Sequence, residues 1–205
     1  MITAVVGAGG KTSLIRQLAA EERAAGRSVL VTTTTHMFIE GDTLCTGDPQ
    51  PILTRLRETG YAMAGIPQGP KITALPPETY EILCREAHTV LVEADGSRHM
   101  ALKFPGPGEP VIPENADRIL VVCGLHALGQ KVTDCCHRPE LVTACLGIDP
   151  DTPITPRHIG KLMEEGYLKP LRRRYPDKEI LLVPRHDGSP GQQAIAADLV
   201  KSCQT

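Results

Sequence analysis

Short runs of contiguous apolar residues recur along the chain, and segments with helical periodicity separate them. Strands that are apolar along their whole length, rather than at alternate positions, are buried on both faces, as in parallel sheets. The sequence therefore predicts an α/β protein with a three-layer fold, in which helices cover both faces of a mostly parallel sheet. The predicted strands are Ile2–Val6, Ser28–Thr33, Tyr61–Ala64, Thr89–Glu93, Arg118–Val122 and Ile180–Val183.

Helices are predicted where apolar residues recur at intervals of three or four positions. One helix begins after Thr12 and ends at Gly26, and another begins at the N-cap Thr155 and ends near Gly166. The remaining helices are Pro51–Glu58, Pro76–Glu86 and a C-terminal segment with an apolar face of Ile195, Ala196, Leu199 and Val200.

Two segments rich in Pro and Gly are predicted to lie outside regular structure. Residues 65–71, GIPQGPK, have the composition of a turn-rich loop. Residues 94–117 form an unusually long connection, which is typical of a functional or mobile loop. The length of 205 residues suits a single domain, residues 1–205, and we allow for a small helical lobe within residues 124–175.

The composition narrows the classes of partner. The net charge of −2 gives no overall basic field of the kind that nucleic acid requires. The N-terminus lacks the charged region and long apolar core of a signal peptide, and no apolar run approaches the roughly 18 residues of a membrane span. We therefore expect a cytoplasmic protein that binds neither nucleic acid nor a membrane.

The seven cysteines include no CxxC pair, which disfavours a zinc ribbon. One cluster is present, Cys135-Cys136-His137. Because adjacent side chains point apart in most backbones, they seldom chelate one ion. We expect ordinary reduced thiols there rather than a metal or selenium site.

The segment GAGGKTS follows the first predicted strand and opens the first predicted helix. In such a loop the backbone N–H groups turn toward an anion, the lysine reaches the β- and γ-phosphates and the threonine hydroxyl binds Mg²⁺. Val5 stands where the G-x-x-x-x-G-K-[ST] pattern has its first glycine, and the alternative is a glycine turn with an exposed lysine. The strand–loop–helix context favours a phosphate loop made of Gly7, Ala8, Gly9, Gly10, Lys11, Thr12 and Ser13.

Polar side chains also follow two other predicted strands. Thr34 and Thr35 follow the second strand, where their hydroxyls are candidates for a phosphate or Mg²⁺ site. Glu93 and Asp95 end a buried strand and resemble a Walker B element, in which an acid holds Mg²⁺ or its water shell. The alternatives are plain β-propensity for the threonines and a turn role for Asp95.

Basic residues occur at two further places. Arg98 and Lys103, in the long loop, are candidates for contact with phosphate or substrate. The run Arg172-Arg173-Arg174 is predicted to be a solvated face.

Several of these segments together resemble a known family. GAGGKTS, TTTTHM, the stretch EADGSRHMALKFPGPGEPVIP from Glu93 to Pro113, VVCGLHALGQKV and CHRPELV are similar to the selenium-dependent hydroxylase accessory protein family of the YqeC type. The resemblance implies a P-loop NTPase-like protein that binds a nucleotide, with ATP as one candidate. It also implies a role in maturation of selenium-dependent molybdenum hydroxylases. The apo-enzyme of such a hydroxylase, or its molybdenum cofactor, is then an implied partner.

Carried over by position, the resemblance assigns the nucleotide loop to Gly7, Gly9, Gly10, Lys11 and Thr12. It assigns the acidic element to Glu93 and Asp95, and it includes a His-Arg-Pro-Glu signature at residues 137–140 without a known role. Related GTPases read guanine with the aspartate of Asn-Lys-x-Asp. Here Asp187 holds that place while the Asn and Lys are missing, which leaves ATP, GTP and CTP open.

Three functions remain open at this point. The first is an Mg²⁺-dependent nucleoside-triphosphate hydrolase, with Lys11, Glu93 and Asp95 as the candidate catalytic residues and Thr12, Glu93 and Asp95 around the metal. The second is a nucleotide-gated chaperone whose loops at residues 94–117 and 131–140 grip a cofactor or apo-enzyme without fast turnover. The third is a small-molecule phosphotransferase. The sequence leaves the oligomeric state open.

Overall fold

The computed structural model describes residues 1–203, which fall into two units. Unit 1 comprises Met1–Val5, Thr12–Gly96 and Val111–Arg118. Unit 2 comprises Val6–Lys11, Ser97–Pro110 and the chain from Ile119 onward.

Unit 1 contains a mixed, mostly parallel sheet and three helices, which confirms the α/β class. Its strands are β1 (Ile2–Gly7), β2 (Val29–Thr33), β3 (His36–Phe38), β4 (Leu44–Cys45), β5 (Tyr61–Gln68), β6 (Lys71–Thr73) and β7 (Thr89–Glu93). Its helices are α1 (Lys11–Ala24), α2 (Pro49–Thr59) and α3 (Pro77–Glu86).

Parallel pairing in unit 1 joins β1 to β7, β7 to β2, β2 to β5 and β4 to β5. Strand β6 is antiparallel to both β5 and β3. The four predicted strands of this unit are all present. Strands β2 and β7 are buried along their whole length, β1 from its second residue and β5 over residues 62–65, because most of their residues are apolar.

Helices α2 and α3 pack on the sheet through one apolar cluster, which includes Leu30, Ile52, Leu56, Leu83 and Val90. Helix α2 is capped at both ends. The carboxylate of Asp48 accepts a hydrogen bond from the Gln50 N–H, and Gly60 takes the left-handed conformation beyond the last turn.

The prediction of a loop over residues 65–71 is wrong, because this segment forms a hairpin between β5 and β6. Gly69 makes the turn with a φ of +59°. Gly65 permits close pairing, since a Cβ there would lie 2.6 Å from the Thr73 carbonyl oxygen. Glycine and proline, which are typical of loops, here belong to a tight hairpin.

Unit 2 contains four further strands and five further helices in the described part of the chain. The strands are β8 (Leu102–Lys103), β9 (Arg118–Gly124), β10 (Cys136–His137) and β11 (Glu179–Arg185). The helices are α4 (Val132–Cys135), α5 (Pro139–Leu146), α6 (Pro156–Met163), α7 (Lys169–Arg174) and α8 (Pro190–Ser202). Strand β11 neighbours β9, and β10 pairs in parallel with β8.

The predicted end of a helix near Gly166 is wrong. Helix α6 begins at the N-cap Thr155 as predicted, but a wider π-turn over Glu164–Leu168 carries it into α7. Gly166 lies in that turn, where a Cβ would be 3.2 Å from the Phe104 ring. The glycine therefore allows the turn to pack against Phe104 instead of ending the helix.

The face predicted for the C-terminal helix is only partly buried. Leu199 is buried, whereas Ile195, Ala196 and Val200 are half-buried in α8. Among the described residues, no helix combines the length and the apolar character needed to cross a membrane.

Two neighbouring residues of α3 test this packing. Leu83 is fully buried, whereas Ile82 is 39% exposed. Replacing Leu83 with Ala should lower the free energy of unfolding by about 2–5 kcal/mol, because it removes buried methyl groups and leaves a cavity. Ile82→Ala is the matched control and should cost about 0.5 kcal/mol or less. Equal losses in urea-induced unfolding would contradict the packing of α3.

Candidate phosphate-binding and metal-binding residues

The glycine loop of unit 2 is shaped by close backbone contacts. Gly7, Gly9 and Gly10 have φ values of +88°, +77° and +121°. A Cβ on Gly7 would lie 2.1 Å from the Val122 carbonyl oxygen, and one on Gly9 would lie 2.4 Å from the Ala101 carbonyl oxygen. Only glycine therefore fits these two positions, for conformational and for steric reasons.

Lys11 is folded over this loop. Its side-chain Nζ donates to the Gly7 carbonyl oxygen at 2.9 Å and to the Ser97 hydroxyl at 3.0 Å. The alternative of an exposed lysine is wrong, because Lys11 is only 4% exposed. The loop thus holds a buried cation beside its own backbone.

The amide groups of the loop have different roles. The Ala8 N–H donates to the Val122 carbonyl oxygen at 3.0 Å, so it is directed at β9 rather than at an anion. Within residues 1–203, the N–H groups of Gly9 and Gly10 have no acceptor in the protein. The Arg185 side chain packs beside Gly10, where its Cγ would be 3.0 Å from a Cβ.

Sequence reasoning did not assign Ser97 or Arg185 to this site. Ser97 is 86 positions from Lys11 along the chain, so no local pattern links them. Arg185 stands where the Asn-Lys-x-Asp pattern has its lysine, two residues before Asp187. Both residues are polar and lie near the end of a strand or at the start of a loop. That position is only a weak indication of a binding site.

The segment Ser97–Pro110 is fixed to the rest of unit 2 by a charged network. Glu109 accepts hydrogen bonds from Lys103 Nζ at 2.7 Å, from Arg138 at 2.6 and 2.9 Å, and from the Gly106 N–H at 3.1 Å. Burial alone would raise the pKa of Glu109, but these hydrogen bonds outweigh it and hold the pKa at about 2. The arginine of the His-Arg-Pro-Glu signature therefore locks this segment in place.

Cys135 and Cys136 lie just before that signature. Their Sγ atoms are 3.7 Å apart and both residues are buried, with free thiols. The hydrogen bond between the thiols lowers the pKa of Cys135 and raises that of Cys136. Burial, followed by the charges of Arg138 and Lys103, lowers the pKa of His137.

The acidic element lies in unit 1, at the end of β7. Glu93 stands opposite Val5 in the parallel pairing of β1 with β7, and both Glu93 and Asp95 are buried. The Thr12 hydroxyl donates to Glu93 Oε2 at 3.4 Å. Thr12 and Glu93, two predicted metal-binding residues, are therefore in contact.

The hydroxyls of the threonines after β2 contact protein groups. The Thr34 hydroxyl donates to the Val111 carbonyl oxygen at 2.6 Å, and the Thr35 and Thr33 hydroxyls are 3.3 Å apart. Thr33, which was not a candidate, donates from its hydroxyl to the Glu93 carbonyl oxygen at 2.8 Å. These contacts hold the ends of β2 and β7 together and position Glu93. A ligand role for Thr34 and Thr35 stays a prediction.

Three candidates remain, which are the backbone N–H groups of Thr12 and Ser13 and the side chain of Asp187. The N–H groups of Thr12 and Ser13, in the first turn of α1, have no acceptor in the protein among residues 1–203. Asp187 accepts a hydrogen bond from the Ser189 N–H at 2.8 Å. Its pKa is lowered first by hydrogen bonding with the Ser189 side chain and then by this backbone bond. That turn precedes α8, and a contact from Asp187 to a nucleotide base stays a prediction.

The described residues contain no group of three or more His, Cys, Asp or Glu side chains arranged around a common metal position. Mg²⁺ is compatible with so few protein ligands, because it keeps several waters and binds through one or two carboxylates together with phosphate oxygens.

Comparison with known proteins gives the chain a family. A sequence model described as the YqeC protein matches residues 3–140, two thirds of the chain. The chain belongs to the YqeC family. A protein of Escherichia coli (strain K12), described as "Uncharacterized protein YqeC", is 39% identical over 160 residues. Those residues are 73% of this chain and 62% of the relative, so the chain spans less than two thirds of that protein's length.

The YqeC match confirms the resemblance seen in the sequence. Its range begins inside β1 and ends at Glu140, so it includes the glycine loop, Glu93, Asp95 and the His-Arg-Pro-Glu signature. The contacts of Arg138 with Glu109 give a structural role to part of that signature.

The charged network predicts a specific response to acid. A carboxylate whose pKa is lowered on folding stabilises the protein above its ordinary pKa, and the effect is lost as the pH falls through the folded value. For Glu109 this window runs from about pH 4.5 down to about 2. Urea unfolding between pH 6 and pH 3 should show a smaller loss of stability for Glu109→Gln than for the wild type.

The control for this experiment is Glu179→Gln, at an exposed position of β11. Glu22, which also has a pKa of about 2 because of its hydrogen bond from Arg27, is present in all three proteins and its contribution cancels. If the wild type and Glu109→Gln lost stability in parallel, the network would not be formed in solution.

Proposed function

We propose that this protein binds a Mg²⁺–nucleoside triphosphate on its glycine loop and hydrolyses it, in a P-loop NTPase-like fold. The observation that carries the proposal is the glycine loop itself. The buried Lys11 ammonium lies over a loop in which two consecutive glycine N–H groups have no acceptor in the protein. Gly9 is buried and Gly10 is half-buried, and a donor left unpaired in a buried position is costly unless an acceptor such as a phosphate oxygen satisfies it.

Phosphate binding requires Lys11 to exchange partners. Its bonds to the Gly7 carbonyl oxygen and the Ser97 hydroxyl are to neutral acceptors. A phosphate oxygen is charged, and charge-assisted hydrogen bonds are roughly twice as strong as neutral ones. The Gly9 and Gly10 N–H groups and the positive end of the α1 dipole add to the attraction.

The metal is proposed to lie at Thr12 and Glu93 in unit 1. Thr12 directly follows Lys11 in the first turn of α1, and its hydroxyl already contacts the Glu93 carboxylate. A hydroxyl and a carboxylate oxygen are ligands that Mg²⁺ accepts, with the phosphates and waters completing its shell. Asp95, two residues further on, would act on the metal through water.

The accessory role in maturing selenium-dependent molybdenum hydroxylases is part of the proposal and is supported by the family resemblance. It is tested in cells that make such a hydroxylase. Loss of this protein should lower hydroxylase activity. Activity should return only when a copy of the protein with Lys11 is supplied. Equal rescue by Lys11→Met would separate the cellular role from nucleotide binding.

The first test removes the Lys11 charge. Lys11→Met keeps an apolar stem in the buried position and should weaken binding of MgATP, MgGTP or MgCTP more than tenfold, since a charge-assisted contact contributes roughly 1.5–3 kcal/mol. Lys201→Ala, at an exposed position, is the control and should bind as the wild type does. Unchanged calorimetric affinity in Lys11→Met would refute the phosphate loop.

The second test concerns Mg²⁺. Two unit charges about 4 Å apart interact by roughly 4 kcal/mol at an effective dielectric constant of about 20, so acids beside a triphosphate repel it unless a cation intervenes. The wild type should bind the triphosphate much more tightly with Mg²⁺ than with EDTA. Glu93→Gln and Asp95→Asn should shrink that difference, and the larger effect identifies the closer metal partner. If both variants kept the full Mg²⁺ dependence, the acids would be structural.

Product analysis then separates the three open functions. Release of inorganic phosphate supports hydrolysis, and phosphate found on an added small molecule supports a phosphotransferase. Tight binding with a rate that rises only on addition of an apo-hydroxylase supports a nucleotide-gated chaperone.

A further inference from the structure

An unusual turn follows the serine that contacts Lys11. The Met100 N–H donates to the Ser97 carbonyl oxygen at 3.0 Å, which closes a four-residue β-turn. Its two central residues, Arg98 and His99, have φ values of +49° and +63°. Positive φ at both central positions defines the type I′ turn, which normally contains Asn, Asp or Gly.

Arginine and histidine are unfavourable residues for the left-handed backbone conformation of this turn. Among residues 1–203, Arg98, His99 and Arg138 are the non-glycine residues with positive φ. Two of the three stand side by side in a turn where Asn-Gly would be free of strain. Such strain persists where the side chain itself is needed, and it is concentrated at functional sites.

The turn is attached to the phosphate loop within unit 2. Ser97 Oγ accepts from Lys11 Nζ at 3.0 Å, and Ala101, just after the turn, has its carbonyl oxygen against Gly9. Consecutive Cα atoms are about 3.8 Å apart, so the long Arg98 side chain starts one residue from the group that holds Lys11. Arg98 is exposed, whereas Lys11 is buried.

The surroundings of Arg98 are cationic. After burial, the charges of Arg138 and Lys103 and then that of Arg98 lower the pKa of His137. Glu109 offsets the charges of Arg138 and Lys103, since it is hydrogen-bonded to both. Among residues 1–203, Arg98 forms no ion pair with a carboxylate, so its charge is available to an anionic ligand.

We infer that Arg98 contacts the terminal phosphate of the nucleotide and stabilises the charge that develops on it during hydrolysis, as an arginine finger supplied by the same chain. The inference rests on the proposed nucleotide hydrolysis. In that reaction water adds to the γ-phosphorus, and the bond from this phosphorus to the β–γ bridging oxygen breaks. The products are the diphosphate, inorganic phosphate and a proton.

An arginine suits this task because its planar guanidinium donates two parallel hydrogen bonds to phosphate oxygens. Arginine fingers act on the transition state more than on the bound triphosphate, and their loss lowers kcat by about 10³–10⁵-fold. The type I′ turn fixes where the side chain starts, so that less ordering is needed when the phosphate binds.

Two substitutions separate the charge from the turn. Arg98→Asn removes the charge and places a residue that type I′ turns favour, so the fold should be kept. His99→Gly keeps Arg98 and relieves the left-handed backbone. Both variants should melt at the same or a higher temperature than the wild type, which shows that any loss of activity does not come from unfolding.

The kinetics are measured with whichever of MgATP, MgGTP and MgCTP the wild type hydrolyses fastest. Arg98→Asn should lower kcat at least 100-fold with KM changed less than threefold, Arg98→Lys should recover only part of the loss, and His99→Gly should retain kcat within about threefold. The corresponding diphosphate with aluminium fluoride, which mimics the transferring phosphoryl group, should bind at least 100-fold more weakly to Arg98→Asn.

The outcomes distinguish this inference from the proposed function. If Arg98→Asn hydrolysed the nucleotide as the wild type does, the arginine finger would be refuted while hydrolysis stood. A rise in KM with unchanged kcat would also refute it, because Arg98 would then bind the ground state only. If the wild type bound and hydrolysed none of the nucleotides, the proposed function would fail and this inference with it.

Discussion

The close approach of backbones around the glycine loop is the constraint on which unit 2 depends. At Gly7 and Gly9 a carbonyl oxygen occupies the space that any side chain would need. These contacts set the left-handed φ values, and those values turn the loop back so that Lys11 can reach the Gly7 carbonyl oxygen. The loop is therefore preorganised by packing, and a ligand need not order it. Preorganised polar groups of this kind bind more strongly than mobile ones, because less entropy is lost on binding.

One carboxylate, that of Glu109, balances the charges around the segment Ser97–Pro110. Lys103 is fully buried, and an uncompensated buried ammonium would be strongly destabilising. Glu109 compensates it and at the same time holds Arg138, which begins α5 in the left-handed conformation. A single acid thus satisfies two cations from distant parts of the sequence. The hydrogen bonds from these cations hold the pKa of Glu109 low in spite of its burial, so the ionised carboxylate stabilises the fold.

Local patterns predicted most of the sheet and the glycine loop. The contiguous apolar runs located the parallel strands, because a strand that is buried on both faces has a run of apolar residues that is visible in its own sequence. The hairpin at residues 65–71 and the continuation past Gly166 were missed, because in both cases a glycine serves packing with a distant residue, Thr73 or Phe104. Composition alone does not distinguish that use of glycine from a loop or a helix end. The partners Ser97 of Lys11 and Glu109 of Arg138 were missed for the same reason, since only the folded chain brings them together.

Ala101 connects the glycine loop to the backbone beside the two adjacent thiols, Cys135 and Cys136. Its N–H donates to the Cys135 carbonyl oxygen, and its carbonyl oxygen accepts from the Gly124 N–H and lies against Gly9. One residue thereby connects three segments at its two peptide groups. Close-packed interiors transmit strain, so a displacement of the glycine loop by a few tenths of an ångström would be passed on to Ala101. The backbone of Cys135 would move with it, so a change in the glycine loop would reach the segment that carries the two thiols.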